Sequence, residues 1–77
     1  MIVYHVCSSA KFKKYIKSGG ILPPVRAWET IDHAHRFSVS TGRRIILRLK
    51  FPNNAEKLAG HYGAARVLYN KCEIKSI

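Results

Sequence analysis

The stretch Thr30–Pro52, TIDHAHRFSVSTGRRIILRLKFP, limits what this chain can fold into more than any other part of it. Thr30 offers a side-chain oxygen to the unpaired amides of a helix start, and Gly42 accepts the left-handed backbone that ends a helix. A helix over Ile31 to Ser40 follows, with Ile31, Ala34 and Phe37 on its inner face. Asp32 lies near the positive helix end and four residues before Arg36, a spacing that predicts a modest ion pair. From Arg43 to Phe51 the pattern switches to period two. Ile45, Leu47, Leu49 and Phe51 point one way, while Arg44, Arg48 and Lys50 point the other with Ile46 among them. Pro52-Asn53-Asn54 closes the strand with a turn. The polar face of such a strand meets solvent or a ligand.

The flanking segments complete the outline. Ile2 to Cys7 is β-branched and aromatic and reads as a strand. Ser8 or Ser9 caps a helix over Ala10 to Ser18, with Phe12, Tyr15 and Ile16 on one face and four lysines around it. Gly19-Gly20 stops that helix. Pro23 and Pro24 make Ile21 to Arg26 an ordered loop, and Val25 to Glu29 a short strand carrying Trp28. Downstream, Ala55 to Ala59 reads as one helical turn and Gly60 to Gly63 as a flexible loop holding His61 and Tyr62. Ala65 to Tyr69 is a strand, Asn70-Lys71 a turn and Cys72 to Ile77 a last strand. The order is strand, helix, strand, helix, strand, strand, strand. It predicts one α+β domain over residues 1–77, with a small mixed or mainly antiparallel sheet and two short helices. A chain of 77 residues has a thin core, so an oligomer or partner that covers it is an open expectation.

Charge narrows the function. Fourteen Lys and Arg against four Asp and Glu give a net charge of +10, which favours RNA, DNA or another phosphate-bearing ligand as partner. No apolar run reaches the ~18 residues of a membrane span. MIVYHVC lacks the basic start and long apolar region of a signal peptide, so the expected location is the cytoplasm. Cys7 and Cys72 are then expected as free, buried thiols. No metal site is expected, because no Cys-x-x-Cys pair occurs and His33 and His35 lie on nearly opposite helix faces. Both histidines are expected at the surface. Gly19-Gly20 closes a helix instead of opening one, the reverse of a phosphate loop.

His5, a polar ring within an apolar strand, suits a hydrogen bond to a ligand hydroxyl. Arg43, Arg44, Arg48 and Lys50 form a basic strand that Arg26 and Arg66 can join in space, and arginine holds phosphate with paired hydrogen bonds. Tyr4, Trp28, Tyr62 and Tyr69 offer stacking faces for bases, the competing role being Trp28 as core with tyrosines at its rim. The expected ligand-binding residues are His5, Trp28, Arg44, Arg48 and Arg66, and the expected nucleic-acid contacts are Arg26, Arg43 and Lys50. No catalytic residue is assigned.

Three segments resemble the compact branch of ADP-ribosyltransferase-like domains that includes the RNA 2'-phosphotransferases. Tyr4-His5-Val6-Cys7-Ser8-Ser9 looks like that family's first strand, whose histidine engages the nicotinamide-ribose part of NAD. The helix to Ile16 and Gly19-Gly20-Ile21-Leu22-Pro23 look like its helix-and-loop return. Ala34-His35-Arg36-Phe37, Gly42 and Ile45-Ile46-Leu47-Arg48-Leu49 look like the helix and central strand that follow. The likeness spans most of the chain. It implies the fold, places Trp28 where the family sets an aromatic residue near the nicotinamide, and makes NAD the candidate cofactor. One departure bears on activity. The family's late glutamate, which orients a ribose hydroxyl, has no match in Gly63-Ala64-Ala65-Arg66-Val67, where Arg66 stands instead.

These residues lead to an ordered set of expectations. The first is a small basic protein that binds nucleic acid or a phosphate-bearing ligand on this fold. The alternative is an NAD-dependent ADP-ribosyl- or RNA 2'-phosphotransferase. A further alternative is a toxin-like ribonuclease, to which Leu58-Ala59-Gly60 and Ala65-Arg66-Val67-Leu68-Tyr69 bear a faint likeness.

Overall fold

Both helices form between the caps that the sequence supplies in the computed structural model, which describes residues 1–70 and 72–73. Helix α1 runs Ser9–Ser18; the Ser8 side chain accepts from the Lys11 amide at 3.2 Å, and Gly19 ends the helix in the left-handed region. Helix α2 runs Ile31–Thr41; Thr30 accepts from the His33 amide at 3.2 Å, and Gly42 ends it in the same way. No helix among the described residues is long and apolar enough to cross a membrane.

The strands are β1 (Ile2–Cys7), β2 (Gly20–Ile21), β3 (Val25–Trp28), β4 (Ile45–Lys50), β5 (Glu56–Lys57), β6 (Ala65–Leu68) and β7 (Cys72–Glu73). Five of them form an antiparallel sheet in the order β4-β1-β3-β6-β5, and β2 pairs with β7 separately. The chain is therefore a small α+β domain. β1 pairs with β4 along its whole length, from Ile2↔Lys50 to Cys7↔Ile45. β3 pairs with β6 from Val25↔Leu68 to Trp28↔Ala65. β1 and β3 meet in register only at Tyr4↔Trp28.

Side chains alternate across a sheet, so these registers sort the residues onto two faces. Val3, Val25 and Ala27 share one face and build the core with Ile21, Phe51, Ala55 and Cys72, flanked by Tyr15, Leu47, Leu49 and Leu68. The opposite face carries Tyr4, Val6, Trp28, Ile46 and Arg48. Helix α2 lies against β1, β3 and β4, and its Phe37 meets Trp28 on that face. This explains Ile46 among the cations: it stands beside buried Val6 at the end of β4 nearer the helix.

Several expectations change. Gly20–Ile21 is a strand, not part of a loop, because Ile21 turns directly into the core at 1% exposure. Ala55 to Ala59 is not a helical turn. Its middle is β5, which pairs with β6, and the Arg66 guanidinium takes the Ala55 carbonyl at 2.6 Å; tertiary pairing outweighs a weak local preference. Ile31 is 41% exposed and not part of the inner face of α2, whose stripe runs through His33, Ala34 and Phe37. Ile16 is 55% exposed, and α1 buries no residue fully. Asp32 and Arg36 do not pair; among the described residues the one ion pair is Arg66 with Glu29. The last strand begins at Cys72 as expected, and Lys71 and residues 74–77 lie outside the described residues.

Candidate functional site

The site begins where the ladder between β1 and β3 lapses. Continuing the Tyr4↔Trp28 register would set His5 against Ala27 and Val6 against Arg26, yet neither pair forms. Instead, His5 Nδ1 lies 2.6 Å from the Arg26 carbonyl oxygen, and Nε2 lies 3.2 Å from the Tyr15 hydroxyl. A carbonyl only accepts, so Nδ1 carries the proton; Nε2 of the neutral ring then accepts from the Tyr15 O–H. Burial is the main reason that the His5 pKa lies below its ordinary value. The Arg43 charge acts the same way, and the bond to Arg26 opposes them. His5 is thus a neutral bridge between β1, β3 and α1. Both of its ring nitrogens are engaged, and neither is left for a ribose hydroxyl.

The gap opens into a cavity of about 410 Å³. His5, Val6, Arg26 and Trp28 line it from β1 and β3, Phe37 and Arg43 from α2 and the turn after it, and Leu58, His61 and Ala65 from the far side. Trp28 is its aromatic centre. His33 stacks on Trp28 at 5.7 Å with ring planes 9° apart, Phe37 tilts against it at 5.6 Å and His61 meets it edge-on at 5.9 Å. The Arg43 guanidinium sits 5.7 Å from the centre of the Phe37 ring, a cation–π contact that holds a positive charge at the cavity mouth. Arg26 and Arg43 are both exposed, and neither has an ion-pair partner among the described residues.

His61 and Tyr62 sit in a hydrogen-bonded turn. Gly60 to Gly63 all have positive φ and form a left-handed turn, with Gly63 N–H bonded to the Gly60 carbonyl at 3.1 Å and Ala64 N–H to that of His61 at 3.0 Å. Gly60, at φ 74° and ψ −143°, occupies a conformation that other residues avoid. His61 and Tyr62 sit in the left-handed region at φ 54° and 57°, at a cost of about 1–2 kcal/mol each. The turn places the His61 ring in the cavity. His61 Nδ1 donates to the Ala59 carbonyl at 3.0 Å, which leaves Nε2 without a partner among the described residues. Tyr62, 90% exposed, reaches His33 with ring centres 6.1 Å apart.

The structure brings together four of the eight expected site residues: His5, Trp28, Arg26 and Arg43. Arg44, Arg48 and Lys50 are exposed and stand outside the cavity lining. Arg66 lies outside the cavity lining, with its guanidinium engaged within the fold. Its Nε lies 3.1 Å from Glu29 Oε2, a second nitrogen holds the Ala55 carbonyl, and the two side chains of the ion pair are only 14% and 24% exposed. Sequence reasoning missed Phe37, His33 and His61 as parts of the site. His33 was expected at the surface, but it falls on the α2 stripe with Ala34 and Phe37 and stacks on Trp28. The flanking glycines of Gly60-His61-Tyr62-Gly63 were the available signal for a left-handed turn.

No family model, curated protein or solved structure matches this chain. The site is therefore read from its own chemistry. Aromatic faces favour a planar ring, and two unpaired guanidinium groups favour an anion beside it. Cys7 and Cys72 are buried free thiols whose pKa values burial pushes up, so neither is a ready nucleophile.

Proposed function

We propose that this protein binds a phosphate-bearing nucleotide unit in the cavity between β1, β3 and α2, on an ADP-ribosyltransferase-like fold. The observation that carries this reading is the convergence of Trp28, Arg26 and Arg43 on one cavity beside His5. The base lies among Trp28, Phe37 and His61, and Arg26 and Arg43 take the phosphate. His5 positions both strands of the cleft without touching the ligand. The net charge of +10 adds long-range attraction for an anion. The fold part of this reading rests on the resemblance in sequence and on the small α+β architecture. Two buried free thiols suit a reducing compartment and support a cytoplasmic location.

NAD shares this chemistry and is the second ligand to consider. The late glutamate that its transfer chemistry uses in the resembled family is unmatched, and Glu29 is tied to Arg66. The reading is accordingly of a binding protein. An NMR titration with adenosine monophosphate and with NAD tests it. Adenosine monophosphate is expected to shift the Trp28 indole and the Arg43 side-chain resonances together. If neither compound at millimolar concentration moves them at low salt, the proposal fails. NAD turnover would instead establish the enzymatic alternative.

A further inference from the structure

Two of the cations that stand outside the cavity, Arg48 and Lys50, share one face of β4. Registers place Arg48 directly across from Tyr4, and Tyr4 directly across from Trp28. Paired residues share a face, so Arg48, Tyr4 and Trp28 form one row across three strands. Ile2↔Lys50 is the next row on that same face. Arg48 and Lys50 are exposed, Tyr4 is half-buried, and β4 is the edge of the sheet. Among the described residues neither cation has an ion-pair partner. Two aromatic rings, Trp28 and Tyr4, followed by Arg48 and with Lys50 in the next row, thus form a strip from the cavity to the sheet edge. Its span is two strand spacings, about 10 Å.

We infer that this strip makes the ligand a single-stranded nucleic acid, not a free mononucleotide; this rests on the nucleotide reading of the cavity. One base occupies the cavity at Trp28. The flanking nucleotide lays its base on Tyr4, and its backbone phosphates meet Arg48 and Lys50. Stacking on an aromatic face beside a positive groove is how single strands are held without base pairing. A duplex does not fit this arrangement, because its bases are already stacked and paired. Edge cations also deter strands of other molecules from pairing with β4, a competing role that predicts a different outcome below.

The test measures binding of oligoadenylates of increasing length, adenosine monophosphate and a duplex by Trp28 fluorescence, with the wild type and an Arg48→Ala/Lys50→Ala variant. A second variant, Tyr4→Leu, removes the ring but keeps an apolar strand residue. Affinity is expected to rise at least tenfold from the mononucleotide to a short oligomer. The double variant is expected to erase that gain and leave the mononucleotide affinity unchanged. It should also flatten the log–log salt dependence by about 1.4, at ~0.7 per single-strand phosphate contact. Tyr4→Leu is expected to cost about fivefold or more for oligomers only. An oligodeoxyadenylate series shows whether the sugar matters. If the mononucleotide binds but length adds nothing, or the duplex binds equally well, the inference is wrong and the cavity reading stands. If the double variant binds oligomers normally and only self-associates, edge protection is the role of these cations. If no nucleotide affects Trp28, both readings fall.

Discussion

His5 Nδ1 and the Arg26 carbonyl oxygen, 2.6 Å apart, join β1 to β3 where the backbone ladder has stopped. One side-chain bond thus stands in for backbone pairing and leaves the gap through which the cavity opens. Replacing His5 by Ala removes the bonds to the Arg26 carbonyl and the Tyr15 hydroxyl, at an expected cost of about 0.5–1.5 kcal/mol for each. Asn places an amide donor where Nδ1 stood, so His5→Asn should recover part of that loss. Urea unfolding of the three proteins checks the order wild type, Asn, Ala. Equal stability of all three would show that the bridge carries no energy.

The same residue makes stability depend on pH. Its folded pKa lies below the ordinary value of 6.5, because burial penalises the imidazolium. Above about pH 6.5 the ring is neutral in both states and the full stabilisation is present. As pH falls below that value, the unfolded chain binds a proton that the folded chain resists, and stability declines until the folded pKa is passed. Unfolding free energies measured across this range should therefore drop toward acid, and His5→Asn should remove part of the slope. A wild-type slope that the variant fully retains would assign the effect to other groups.

Arg66 and Glu29 predict the opposite separation of stability from binding. Arg66→Ala breaks a largely buried ion pair and frees the Ala55 carbonyl, at about 1–3 kcal/mol in thermal or urea unfolding. Nucleotide affinity of the folded variant should stay within twofold of wild type. A tenfold loss of affinity at unchanged stability would return Arg66 to the ligand site.

Tyr62 should show a trade between stability and binding. Its left-handed backbone is costly for a tyrosine and free for glycine, and its side chain is nearly all in solvent. Tyr62→Gly is expected to keep or raise the melting temperature while weakening nucleotide binding, since the ring beside His33 is lost. A variant that loses stability and binds normally would make Tyr62 a structural residue.

Cys7 and Cys72 should resist a thiol reagent in the native protein and react quickly once urea unfolds it, because burial keeps both thiols protonated. Fast modification of either in the folded state would contradict their placement in the core.

Much of the fold was legible because its signals are local. Ser8, Thr30, Gly19 and Gly42 bound the helices within a residue or so, and period two named the faces of β4. The misses are tertiary. Nothing near Ala55 announces that Arg66 will take its carbonyl, and nothing near Gly20 announces β7 as a partner. The site divides in the same way. His5 and Trp28 stood out as polar or bulky residues in short strands. The ion pair of Arg66 was not legible because its partner, Glu29, lies 37 residues away in sequence, and His33 was hidden because its neighbour Trp28 belongs to another element.

Trp28 is the one tryptophan in the chain and lines the cavity, so its fluorescence tests the central claim directly. Titration with adenosine monophosphate at low salt should quench or shift its emission saturably. The affinity should fall as salt rises, and Arg43→Ala should weaken it about tenfold, the loss of a charge-assisted contact. Emission that stays constant to millimolar nucleotide in the wild type, at low salt and with the protein folded, would contradict the account.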